Sequence, residues 1–102
     1  MAQQLPVIIV TRHPGATEWI RTQPGFSGAE ITAVPHLAKI APNTHYVGVL
    51  PVGLVAQICK SGGRFTSLEL TFPDASWRGR ELTAAEMDAC AARLEEYRAE
   101  RV

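Results

Sequence analysis

An arginine and a histidine side by side, where a β-branched run meets a proline and a glycine, outline a site for an anion. The run is Val7-Ile8-Ile9-Val10, and Thr11-Arg12-His13-Pro14-Gly15 follows it. Four β-branched residues in succession predict a short buried strand, and Pro14 and Gly15 turn the chain into a helix. The first-turn amides of that helix and the positive end of its dipole would face the same point as the Arg12 guanidinium and the His13 imidazole. Leu50-Pro51-Val52-Gly53 is a second strand-to-helix change of the same form, and Gly53 would let a ligand come close to the backbone. Arg78-Gly79-Arg80 reads as a basic loop able to reach over a phosphate, although the same arginines could pair with Asp74 or Glu81 instead.

Basic and imidazole groups around paired helix N-termini suit one chemistry better than most. An RNA phosphodiester can be cleaved by attack of its neighbouring 2′-hydroxyl, which needs in-line positioning, charge stabilisation on the phosphoryl oxygens and a proton for the leaving 5′-oxygen. Arg12 and the amides fit the second task and His13 fits the third. The three histidines, His13, His36 and His45, fall in different elements and lack the spacing of a metal site, so neither a metal nor another cofactor is expected. No Walker or dinucleotide fingerprint is present, and no Ser-His-Asp set or carboxylate pair stands out. Trp19 and Trp77 read as core or interface residues, with Trp77 also placed to stack on a base.

These loops need a scaffold that brings them together. Ala16, Trp19, Ile20 and Gln23 recur at helical spacing, which predicts a helix from about Pro14 to Gln23. Glu30 to Val34 alternates as an edge strand, His45 to Leu50 reads as a third strand, and Val52 to Ser61 as a helix that is apolar almost all round. Such a helix belongs against the sheet or against another subunit. Gly62-Gly63 then stop it, and Arg64 to Thr71 alternates as a fourth strand. Thr83 with Glu86 forms a capping box, Leu82 with Met87 a hydrophobic staple, and Met87, Cys90, Leu94 and Tyr97 a stripe along one long terminal helix. The pattern predicts a small three-layer α/β fold, residues 1–102 forming a single domain with a mainly parallel four-stranded sheet in the order 2-1-3-4. In that order the chain reverses direction across the sheet between strands one and three, and open α/β sheets bind ligands at that switch point.

The totals exclude some classes of function. The 102 residues are 46% hydrophobic, enough for one modest core. Ten Lys and Arg balance ten Asp and Glu, so no global field draws the chain to long nucleic acid or to an anionic membrane. Cys59 and Cys90 lie far apart and read as reduced, buried thiols of a cytoplasmic protein. No apolar run approaches the ~20 residues of a membrane span, and Met1-Ala2-Gln3-Gln4 lacks the positive start of a signal peptide.

Thr11-Arg12-His13-Pro14-Gly15-Ala16, then Val49-Leu50-Pro51-Val52, then Arg78 to Thr83 followed by Met87, together resemble the signature blocks of a family of small CRISPR-associated accessory proteins found with type III systems. The resemblance covers nearly the whole chain in order. It implies a Rossmann-like domain related to CARF domains, a homodimer, and a ring nuclease that binds and degrades cyclic oligoadenylate, cyclic tetra-adenylate first, to switch off the effectors it activates. Val49 departs from the pattern by standing where a threonine would offer a hydroxyl. The resemblance does not itself assign catalytic residues; on the chemistry set out above, Arg12 and His13 are catalytic, and Thr11, Pro14, Gly15, Leu50, Pro51, Val52, Gly53, Arg78 and Arg80 bind the ligand. Two other classes fit the sequence: a module that sequesters cyclic oligoadenylate without cutting it, and an interaction subunit whose apolar second helix docks on another protein.

Overall fold

Residues 5–11, 13–32, 40–77 and 81–102 are described by a computed structural model. The chain forms β1 (Val7–Val10), α1 (Pro14–Arg21), β2 (Glu30–Thr32), β3 (His45–Gly48), α2 (Val52–Lys60), β4 (Arg64–Glu69), a 3₁₀ turn at Ala75–Trp77, α3 (Ala84–Ala89) and β5 (Arg93–Tyr97). One sheet holds the strands in the order β2-β1-β3-β4-β5. The first four strands run parallel in the expected order 2-1-3-4, and β5 adds an antiparallel edge beside β4.

Alternation along the strands divides the apolar residues between the two faces. Ile9, Val47 and Leu68 join Ala16, Trp19 and Ile20 of α1 and Met87 of α3 in one cluster, with Leu82 and Cys90 at the ends of α3. Val10, Tyr46 and Phe65 point the other way and meet Val55 and Ile58 of α2. A helix that is apolar almost all round is thereby accounted for within the chain, since Leu54, Val55, Ala56 and Ile58 are all buried. Cys90 is buried and Cys59 half-buried, and both are free thiols.

The long terminal helix is not formed. Its start is as expected: Thr83 Oγ1 accepts the Glu86 amide at 3.1 Å, Glu86 returns a carboxylate to the Thr83 amide, and Leu82 and Met87 are both in the core. The helix then stops after Ala89, because Ala91 takes a left-handed conformation at φ +52° and the Ala92 amide folds back onto the Met87 carbonyl. Residues 93–97 have good helix formers, yet as β5 they satisfy the open edge of β4, set Leu94 opposite Leu68, and let Arg64 form a forked ion pair with Glu96. Pairing a sheet edge outweighs an intrinsic preference of a few tenths of a kcal/mol per residue.

Two of the glycines that close approach requires bear on the strand ends and helix starts. A Cβ on Gly15 would overlap the Leu82 carbonyl oxygen at 1.8 Å, so the start of α1 lies directly on the chain entering α3. A Cβ on Gly48, at φ +153°, would meet the Val10 carbonyl oxygen at 2.3 Å, where β3 closes on the end of β1. Gly28 by contrast has nothing within 4 Å. Gly15→Ala should therefore lower the unfolding free energy by about 1–3 kcal/mol in a urea titration, while Gly28→Ala stays within about 0.5 kcal/mol of the parent. Ala91→Gly should raise stability by roughly 0.5–1 kcal/mol through relief at the left-handed position. A destabilised Ala91→Gly would contradict this account of the helix stop.

Candidate functional site at the switch point

The two central strands end together. Val10 pairs with Gly48 across β1 and β3, so Thr11 leaves one strand beside Val49 leaving the other. From there the chain departs to opposite faces, into α1 and into α2, the position at which open α/β sheets form a ligand crevice between the departing loops.

The two helices begin in the same way, and differently from α3. His13 is the N-cap of α1 and Pro51 the N-cap of α2; neither gives a side-chain cap, and neither first turn contains an acidic residue. The carbonyl of each N-cap residue already accepts its first helical bonds, from Ala16 and Thr17 in α1 and from Leu54 and Val55 in α2. The N-terminus of α3, which packs against Gly15 in the first turn of α1, carries the complete capping box. Side chains thus neutralise the positive end of α3 and leave those of α1 and α2 to whatever occupies the crevice.

Around that crevice, Thr11 is half-buried and its Oγ1 accepts the His13 amide at 3.1 Å, which fixes the turn into α1. His13, Pro14, Pro51 and Val52 are exposed. Val49 and Val52 stand out as apolar side chains 72% and 75% exposed at the mouth of the crevice. Leu50 turns inward and packs against the cluster under α2, so any contribution from that position falls to its backbone. Gly15 is buried against Leu82 and Thr83, so its missing side chain serves helix packing. Gly53 is half-buried, and a Cβ built on it would lie 4.0 Å from the Arg101 guanidinium. Arg12, His36, Arg78 and Arg80 lie outside the described residues.

Arg101 is the residue that the sequence reading missed. Placed on a terminal helix it belongs to a solvated face. With β5 formed, the segment after Tyr97 runs back beside α2 and brings Arg101 to that helix's first turn. A stop signal at Ala91 would have been needed to foresee it, and an alanine gives none.

The other expected aromatic and imidazole groups are structural. Trp19 is buried and donates its indole N–H to Asp88 at 2.9 Å, joining α1 to α3, while Trp77 packs against the same cluster. His45 begins β3 at the end of the sheet away from the crevice; it is buried, its Nε2 lies 2.6 Å from Thr66 Oγ1, and the Phe26 ring meets it edge-on. Burial, and secondarily the Arg64 charge, lower the His45 pKa from 6.5, with Glu96 opposing. Among the described residues no three His, Cys, Asp or Glu side chains cluster as metal ligands would. No helix among them is long and apolar enough to cross a membrane.

A family model described as "Putative CRISPR-associated protein (Cas_VVA1548)" matches residues 8–100. No curated protein matches the chain, and no solved structure does.

The lowered pKa of His45 makes a prediction with a definite sign. Between 6.5 and the lower native value the unfolded chain binds a proton that the native chain does not, so stability is complete above 6.5 and declines as the pH falls. Glu96 is also held below its ordinary value by Arg64 and acts in the same direction, below 4.5. Urea titrations from about pH 7.5 to 5 should show the parent losing stability and a His45→Gln protein showing a flatter profile, whatever its absolute stability. Parallel profiles would remove His45 as the cause.

Proposed function

The chain belongs to the CRISPR-associated family matched over residues 8–100, and from that premise we propose that it is a metal-independent ring nuclease acting on cyclic oligoadenylate. The observation that carries the reading is the pair of helix N-termini without side-chain caps or acidic residues, opening together at the β1/β3 crevice while α3 is fully capped. That is an arrangement suited to phosphate, and it is sited where strand order reverses. The helices on both faces of a largely parallel sheet also suit a Rossmann-like domain related to CARF domains.

Cyclic tetra-adenylate is the proposed first ligand. Its two-fold symmetry matches a homodimer that offers one crevice per subunit, and a local positive site explains how a chain of zero formal net charge binds a polyanion. In the proposed reaction the ribose 2′-oxygen attacks its adjacent phosphorus and loses its proton to solvent. The bond to the 5′-oxygen breaks, and that oxygen takes a proton from His13. Arg12, the amides of α1 and α2, and Arg101 stabilise the charge on the phosphoryl oxygens, and Arg78 and Arg80 close over the ligand. Thr11, Pro14, Gly15, Leu50, Pro51, Val52 and Gly53 form the walls, Leu50 and Gly15 through their backbone. The products are linear oligoadenylates ending in a 2′,3′-cyclic phosphate, released in the cytoplasm.

The apolar side of α2 is buried in its own chain, which argues against an interaction subunit docking through that helix. Incubation of the protein with cyclic tetra-adenylate in molar excess, with and without EDTA, followed by denaturation and chromatography, tests the remaining choice. The reading predicts more than one equivalent of linear product with a 2′,3′-cyclic end, insensitive to EDTA, and a rate at least about 100-fold lower in folded Arg12→Ala or His13→Ala proteins. Intact nucleotide recovered after demonstrable binding would replace the nuclease with a sequestering module. Intact nucleotide without binding would overturn the ligand as well.

A further inference from the structure

A groove of about 800 Å³ runs beside α2, roofed by the segment that follows β5. It is separate from the crevice except at Arg101, which stands between the two. Its lining includes four cations, Lys60, Arg64, Arg98 and Arg101, and a single carboxylate, Glu100. In a chain with ten basic and ten acidic residues this is a strong local imbalance. Arg64 is engaged by Glu96, which leaves Lys60, Arg98 and Arg101 without a described ion pair around the space. The backbone does not supply anion recognition there: the amides of Ser61, Gly62 and Gly63 all return to carbonyls of α2. The rest of the lining mixes apolar Leu5, Ala56, Cys59 and Ala99 with Gln57 and two glycines.

We propose that this groove is a second ligand site, which takes a small phosphate-bearing molecule with an apolar or aromatic body. Two guanidinium groups and an ammonium group that line one space, from α2 and the terminal segment, suit phosphate oxygens, which accept forked bonds from arginine and a point contact from lysine. Leu5, Cys59 and Ala99 offer apolar contacts to the uncharged part, and the volume lies within the range of small-molecule sites, roughly 300–1,000 Å³. The site needs β5, because only the antiparallel return along β4 carries Arg98 and Arg101 to α2. It does not depend on the nuclease reading.

The chain carries its own reporter for this site. Cys59 lines the groove, whereas Cys90 is fully buried in the cluster on the opposite face of the sheet. A thiol reagent such as DTNB should therefore react once with the native protein, at Cys59. ADP is the probe, in magnesium-free buffer, with pyrophosphate and adenosine as its two halves. Expected results are that ADP slows the Cys59 reaction by about tenfold near saturation, and that pyrophosphate protects more than adenosine. Lys60→Gln and Arg98→Gln, both at exposed positions, should each weaken ADP binding by about tenfold or more in calorimetric titration, while Arg12→Ala leaves it unchanged. Protection by adenosine alone would overturn the phosphate assignment. Absence of calorimetric binding by ADP or pyrophosphate would overturn the site, whatever the reactivity of Cys59. Loss of ring cleavage in Arg12→Ala with ADP binding intact would show that ADP is held in the groove and not in the crevice; loss of ADP binding in Arg12→Ala would overturn the groove as its site.

Discussion

The parallel pairing of β1 with β3 is the constraint on which the rest of the molecule depends. It sets side by side two strands whose connections leave in opposite directions, and it holds Gly48 so near the Val10 carbonyl that no other residue fits. Everything proposed for the crevice follows from that closure. With β1 and β3 in register to their last residues, the helix starts of α1 and α2 emerge together and the loops before them form opposite walls. A bulkier residue at Gly48 would part the strand ends and spread the two helix N-termini.

A second constraint brings the entry to α3 to the same place. The Leu82 carbonyl lies where a side chain on Gly15 would be, so the chain that follows Arg78-Gly79-Arg80 arrives on the first turn of α1. The Thr83–Glu86 capping box and the Trp19–Asp88 hydrogen bond hold α3 in that position. Gly15 thus serves to bring two segments of protein together, the first turn of α1 and the entry to α3.

Much of this was legible because the signals were local. The β-branched run of β1, the prolines at residues 14 and 51, the Gly62-Gly63 stop and the Thr83–Glu86 box each encode their element within a few residues, and handedness orders the four parallel strands. What escaped was decided at long range. Nothing near Ala91 announces a left-handed residue, and Arg93 to Tyr97 is a good helical sequence whose strand conformation comes from the unpaired edge of β4. Missing that strand also concealed the groove beside α2 and the arrival of Arg101 at Gly53. The burial of Leu50 escaped for a related reason: an apolar residue in a rim loop faces inward or outward according to packing on the far side of the sheet.

The central claim is that an anionic ligand is held between the two uncapped helix starts. Backbone amide shifts measured by NMR while a slowly cleaved cyclic tetra-adenylate analogue is titrated in would test it most directly. The account predicts that the largest changes fall on Thr11 to Thr17 and on Val49 to Leu54, the residues that form the crevice and its first turns. Changes confined to other parts of the sheet, with those two segments silent, would contradict it.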